Sequence, residues 1–236
     1  MTGEMTAAMT AAIGIRNVSW GVKGAPGSLD GVSLSVAGGE CLALAGKAGS
    51  GKAALLRLIA RELAPQSGAV CLFSRDIWLM SAGEVAGMVT ALSPAGTAFD
   101  GMTPWQIVAS ACREGQAELS PAARSAAAHA ALREVGLGML RDPLFGMLPM
   151  EGRLRVLAAR ALILRPRIVL LSGAGTGAGA LQLQIGLMGG LRDGGTTVVV
   201  ATEDAGPAAG LVDRVVQLDR GRIVADGTAC RLAASA

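Results

Sequence analysis

The chain has no tyrosine, three phenylalanines and three tryptophans in 236 residues, so aromatics make up only 3%. A module that reads nucleic acid through stacking platforms needs more π-faces than that. Its formal charge of +3 is too small to imply nucleic acid or an anionic lipid surface as a partner. Histidine occurs once, at His129, and the cysteines Cys41, Cys71, Cys112 and Cys230 lie far apart with no CxxC spacing. A zinc cluster needs close pairs, so the cysteines read as small buried hydrophobes in a reducing cytosol. The opening MTGEMTAAMTAAIG has no basic n-region and no strong apolar stretch, which argues against a signal peptide. Residues 1–12 read as a disordered N-terminus, and Met5 and Met9 are alternative starts. The longest uncharged window, Ile168 to Leu191, is interrupted by glycines and two glutamines. It reads as a strand, a Gly-rich loop and a helix rather than a membrane span.

Apolar residues and glycine are abundant. Hydrophobic residues reach 51% and glycine fills 34 positions, while charged residues stop at 17%, against about 25% in an ordinary soluble domain. Disorder over the whole length needs the opposite balance, and the glycines have no period of three, which excludes collagen. The length predicts one domain, with or without an inserted subdomain.

Periodicity divides the chain into alternating strands and helices. IGIRNVSW and LDGVSLSV flank a GAPG turn, and ECLALA is a short apolar run of the kind buried on both faces of a sheet. AALLRLIARELA carries apolar residues at helical spacing. SGAVCLF predicts a strand, and GEVAGMVTAL a helix running into one. From about Thr97 to Leu164 the pattern is helical. RIVLL, TTVVVAT and RVVQLDRGRIVADGT return to strands, the last as two strands around an Arg-Gly turn. Such alternation predicts an α/β fold with a mostly parallel sheet and crossover helices. One domain is therefore expected over 13–236, with a helical block from 95–162 inserted between the strand-bearing segments 13–94 and 163–236.

Between ECLALA and the first helix lies Gly46-Lys47-Ala48-Gly49-Ser50-Gly51-Lys52-Ala53. Gly46, Gly51 and Lys52 satisfy G-x-x-x-x-G-K in the strand–loop–helix context that this motif requires. Small residues let successive backbone N–H groups curl around a polyphosphate, and the new helix points its positive end at it. Lys52 then neutralises the terminal phosphates. Ala53 stands where Ser or Thr would give a hydroxyl to magnesium, so the loop is expected to hold phosphates and not the metal.

With these residues in place, the chain resembles the ATP-binding cassette (ABC) ATPases over nearly its whole length. The resemblance rests on ECLALAGKAGSGKAALLRLIARELAPQSGAV, on RVLAARALILRPRIVLL and on TTVVVATEDAGPAAGLVDRVVQLDRGRIVADGT. SRDIWLMSAGEVAGMVTALSP followed by FDGMTPWQIVASACREG is most similar to ATPases of iron-siderophore, haem and cobalamin importers. The resemblance implies a P-loop NTPase core, a small antiparallel β subdomain and an inserted helical subdomain. It also implies work as a dimer, with a second ABC ATPase subunit, under a membrane permease on the cytoplasmic face of the membrane.

Set against the family pattern, the chemistry-bearing positions differ. The Asp and catalytic Glu after the strand matching RIVLL become Ser172 and Gly173, and the Leu-Ser-Gly-Gly-Gln signature falls on Leu148-Pro149-Met150-Glu151-Gly152. The magnesium-coupling Gln aligns with Ala95, the switch His with Glu203, the Leu-Asp loop with Ala178-Gly179, and the adenine-stacking aromatic with Val22, where nearby Trp20 is the stand-in. A lost general base costs about 10²–10⁴ in rate and a lost metal several kcal/mol more. The expectation is therefore weak ATP or ADP binding, indifferent to magnesium, with no catalytic residues in place. Two alternatives stand beside it: a soluble scaffold or regulator built on the same fold, and an active ATPase that recruits Glu203 or Asp204.

Other conspicuous residues have plainer readings. Arg153, Arg155, Arg160, Arg165 and Arg167 read as a solvated helix face. Trp105, with Ile107 and Val108, lies where the resemblance places the permease contact. It reads equally as an interface anchor or as ordinary packing of the helical subdomain, with Trp105→Ala expected to weaken a membrane partner's association. His129 is expected at the surface. The methionines read as core filler, with Met147 and Met150 marking an apolar contact beside the altered signature.

Overall fold

The computed structural model describes residues 11–94, 98–115, 120–138, 143–172, 186, 189–204 and 210–228. The chain opens with a hairpin of β1 (Ala11–Trp20) and β2 (Leu29–Ala37), then β3 (Cys41–Ala45), α1 (Lys52–Ile59), β4 (Ser67–Leu72) and the short β5 (Arg75–Asp76). Helix α2 (Ala82–Met88) runs directly into β6 (Val89–Leu92). Three helices follow before the next strand: α3 (Pro104–Gly115), α4 (Pro121–Glu134) and α5 (Met150–Leu164). The chain then forms β7 (Ile168–Leu171), α6 (Gly189–Asp193), β8 (Thr197–Thr202), β9 (Arg214–Asp219) and β10 (Arg222–Thr228).

Ten strands form two sheets among the described residues. The larger has the order β10-β9-β3-β8-β7-β6, and only its β9–β10 edge is antiparallel. The smaller, β2-β1-β4-β5, is antiparallel throughout. The α/β fold with a mostly parallel sheet, a small antiparallel sheet and helices inserted between strands follows the sequence pattern. β1 begins at Ala11 rather than Ile13, because Ala11 and Ala12 are small enough to bury and Ala11 still pairs with Ala37. Helix α5 runs unbroken to Leu164, so the expected subdomain edge at 162 falls inside it.

Two apolar cores hold these layers together. One lies between the sheets and takes in Leu42 and Leu44 of β3, Ile13 and Ile15 of β1, and five of the eight residues of α1. The other joins the opposite face of the large sheet to the inserted helices through Ile107, Phe145, Val156 and Leu157. Helix α3 starts on a reciprocal cap, in which Thr103 N–H donates to Gln106 Oε1 (2.9 Å) and Gln106 N–H to Thr103 Oγ1 (3.3 Å). Among the described residues no helix is long and apolar enough to cross a membrane.

Candidate nucleotide-phosphate site

β3 is central in the large sheet and all five of its residues are buried. It ends at Gly46, and the loop that follows lies at the carboxyl ends of β3, β7 and β8, where open parallel sheets place their ligands. Gly46, Gly49 and Gly51 all have positive φ (153°, 76° and 106°). A Cβ on Gly46 would stand 2.3 Å from the carbonyl oxygen of Leu218, so no side chain fits there. Gly46 N–H donates to Thr202 O (3.1 Å) and Ser50 N–H to Lys47 O (3.1 Å). The carbonyl of Gly51 accepts the first helical bond, from Leu55 N–H (3.0 Å).

The ammonium of Lys52 folds back over this loop. It donates to the carbonyls of Gly46 and Lys47 (2.9 Å to the latter) and to Ser50 Oγ (3.2 Å). Burial lowers its pKa below that of an ordinary lysine, and the carboxylate of Glu203 opposes the shift. Lys52, Ala53, Ser172, Thr202 and Glu203 line one hollow of about 250 Å³ together with the loop backbone from Ala48 to Gly51. Gly46 and Lys47 join the site through their bonds to Lys52 rather than through the wall. The small residues and the Lys52 ammonium give this loop the space and positive charge that a phosphate cradle requires. The exposed methyl of Ala53 has no oxygen to offer a metal, and among the described residues no three His, Cys, Asp or Glu side chains cluster as a metal site.

Two turns brace the loop from outside. Gly27 N–H, in the turn between β1 and β2, donates to Gly49 O (2.6 Å). Gly221 N–H, in the turn between β9 and β10, donates to Ser50 O (2.9 Å), and Gly221 O accepts Asp30 N–H (2.9 Å). Sequence reasoning recognised both turns by their glycines but not that they converge on the phosphate loop.

The positions matched to family chemistry are placed as follows. Ser172 leaves β7 with its N–H bonded to Leu92 O (3.1 Å) and lines the hollow. Glu203 follows β8 and shares that hollow. The segment Leu148–Gly152 opens α5, away from the hollow; Pro149 is the N-cap and makes no side-chain capping bond. Glu151 pairs along the helix with Arg155 (2.6 Å). Val22 is 76% exposed, and Trp20 packs against the core between the sheets, so neither lines the hollow. Ala95, Gly173, Ala178 and Gly179 lie outside the described residues.

Two expectations about surface residues need correction. Arg153 is no solvated face: its guanidinium donates to the carbonyls of Leu148 (3.0 Å), Gly146 and Pro94 (3.3 Å) and covers the ring of Phe145. Arg155 is half-buried as well, reaching Val135 O (3.3 Å) besides Glu151, whereas Arg165 and Arg167 are exposed. Ile107 and Val108 are fully buried and Trp105 packs half-buried on the same core. The apolar stripe of α3 therefore faces inward, with no free face at Ile107 or Val108 to offer a partner. Cys41 and Cys112 are buried, while Cys71 is only half-buried. His129 is exposed, with its ring 6.3 Å from that of Trp105. Met147 and Met150 are exposed beside Leu144.

A central buried strand delivering a Gly-rich loop and lysine into a helix, a companion antiparallel sheet and a helical insertion together define a cassette-type P-loop domain. Comparison with known proteins agrees: residues 29–172 match the family model described as ABC transporter. The cobalt import ATP-binding protein CbiO of Rhodobacter capsulatus is 33% identical over 233 residues, covering 94% of this chain and 80% of that protein. A hemin import ATP-binding protein, HmuV of Rhodopseudomonas palustris, is 32% identical over 210 residues, covering 84% and 76%. Among solved structures, cbiO1 from Clostridium perfringens, described as part of the ABC transporter complex cbiONQ, superposes with a TM-score of 0.80 at 19% identity, over 95% of this chain and 91% of that one. The chain belongs to the ABC transporter family, among its importer-like ATP-binding proteins.

Proposed function

We propose that this chain is the ATP-binding subunit of an importer, that it holds ATP or ADP weakly through Gly46–Ala53, and that its capacity for hydrolysis is impaired. The carrying observation is the composition of one hollow. The loop and Lys52 are intact, while Ala53 and Ser172 share the hollow at positions where the family pattern has a hydroxyl and a carboxylate. Backbone N–H groups, the amino end of α1 and Lys52 bind and orient the phosphates. ATP brings the phosphoanhydride; this chain supplies no carboxylate at the end of β7 to polarise water.

The named relatives act in cobalt and hemin import, and cbiO1 belongs to a transporter complex. A dimeric cassette bound to ADP and phosphate shares the fold, with a TM-score of 0.79 over 92% of this chain and 98% of that one, at 21% identity. These likenesses support a dimer, with a second copy or a second ATPase subunit, docked on a membrane permease at the cytoplasmic face. A second reading, in which Glu203 serves as the recruited carboxylate, is favoured by its place in the hollow beside Lys52.

Calorimetric titration with ATP in magnesium and in chelator tests the proposal. Affinities within a few-fold of each other are expected, and Lys52→Ala should abolish both signals. A strong magnesium requirement would show that a metal shell forms here after all.

A further inference from the structure

At the opposite, amino-terminal end of the large sheet lies a second and larger hollow, of about 580 Å³. The length of β3 separates it from the phosphate loop by about 17 Å. Its wall combines Arg165, Arg167 and Glu134 with Phe73, Leu162, Leu191 and the turn Gly194–Thr197. We propose that this hollow is a binding site for a small, doubly charged anion carrying an apolar body, of the phosphoryl or dicarboxylate kind.

Three observations carry the assignment. The first is backbone strain. Arg165 ends α5 in the left-handed conformation (φ 46°, ψ 54°), and Phe73 has φ 47°. Glycine is the low-cost residue at such positive-φ positions, and a bulky residue held there is strained. Two such residues face the same hollow, and both present side chains that glycine lacks.

The second is charge. Arg165 and Glu134 make no side-chain ion pair or hydrogen bond among the described residues. Arg167 is stacked on Phe73 with its guanidinium carbon 3.4 Å from the ring centroid, an arrangement that fixes the plane of its N–H fork. Counting Glu134, the wall has an excess of one positive charge. The oxygens of the neighbouring turn are already committed: Thr196 Oγ1 donates to Pro166 O (2.9 Å) and Thr197 Oγ1 to Ala37 O (3.4 Å). The guanidinium groups are thus the free donors, and donors of this type prefer carboxylate or phosphate.

The third is size. The volume lies within the range of about 300–1,000 Å³ usual for small-molecule sites, and the half-buried Leu162 and buried Leu191 offer apolar surface beside the arginines. This site stands apart from the phosphate loop and does not depend on the nucleotide reading.

The test uses the full chain carrying Lys52→Ala, which silences the phosphate loop, titrated calorimetrically with phthalate and with phenyl phosphate, a dicarboxylate and a phosphoryl dianion that each carry an apolar ring. Saturable binding of at least one probe is expected, and the responding probe tells carboxylate from phosphoryl chemistry. Arg165→Gly relieves the left-handed strain, so it should raise or preserve the melting temperature while weakening binding about tenfold. Arg167→Met should weaken binding by a similar factor, about tenfold, and Glu134→Gln should strengthen it. Heat absent with both probes, or affinity unchanged in Arg165→Gly and Arg167→Met, would overturn the proposal.

Discussion

Around Lys52, the site is built from backbone more than from side chains. The ammonium contacts two loop carbonyls and one hydroxyl, so its position is only as firm as the loop beneath it. That loop is held by residues distant in sequence. Gly221 has φ 77°, and a Cβ there would lie 2.5 Å from the carbonyl oxygen of Ser28. Gly221→Ala should therefore cost about 2 kcal/mol or more and weaken ATP binding in the same protein, as thermal melts and titration would show. Unchanged melting would mean that the turn does not brace the loop. The contrast explains what was legible at this scale. Gly46 to Lys52 is a local motif whose geometry follows from its own residue types, so it could be read directly. The support from Gly27 and Gly221, and the approach of Glu203 to Lys52, arise only when separate strands are brought side by side.

At the scale of single elements, ends are set by local chemistry and faces by packing. Helix α2 begins on a capping box: Glu84 N–H donates to Ser81 Oγ (3.2 Å), Ser81 N–H donates to Glu84 Oε2 (2.7 Å), and Glu84 pairs with Arg75 (3.1 Å). The bonds with Ser81, chiefly that from its backbone, hold the Glu84 carboxyl below its ordinary value of 4.5, with Arg75 adding to the effect. A carboxylate whose pKa is depressed by folding stabilises above its unfolded value, and that contribution fades as pH falls through the lower folded value. Glu84→Ala should accordingly lower the melting temperature at pH 7 and do so less at pH 3; an equal drop at both would remove the ionic part of the cap. Strand and helix identities were readable because period 2 and period 3.6 persist along whole segments. Which arginines of α5 face water was not. Arg153 lies on a helix whose apolar and polar residues barely separate, and its partners are carbonyls of the preceding turn and of Pro94.

Taken as a whole molecule, the two sheets meet at the nucleotide end. One brace of the phosphate loop comes from the β1–β2 turn and the other from the β9–β10 turn. Farther back, Arg214 of β9 joins Glu40 (3.3 Å), Asp226 (2.5 and 2.6 Å) and Ser35 O (2.9 Å) across both sheets. The Asp226 bonds and burial act on Arg214 in opposite directions, and the bonds prevail to raise its pKa. This architecture holds the loop and Lys52 in place with Ala53 and Ser172 beside them, and on the proposed reading it binds nucleotide without cleaving it. Equilibrium dialysis against γ-labelled ATP with magnesium, with the bound species identified after separation, tests that account most directly. The wild-type chain should retain ATP saturably and uncleaved, and Lys52→Ala should retain none. Release of labelled phosphate at about 1 s⁻¹ or faster, dependent on Lys52, would contradict it.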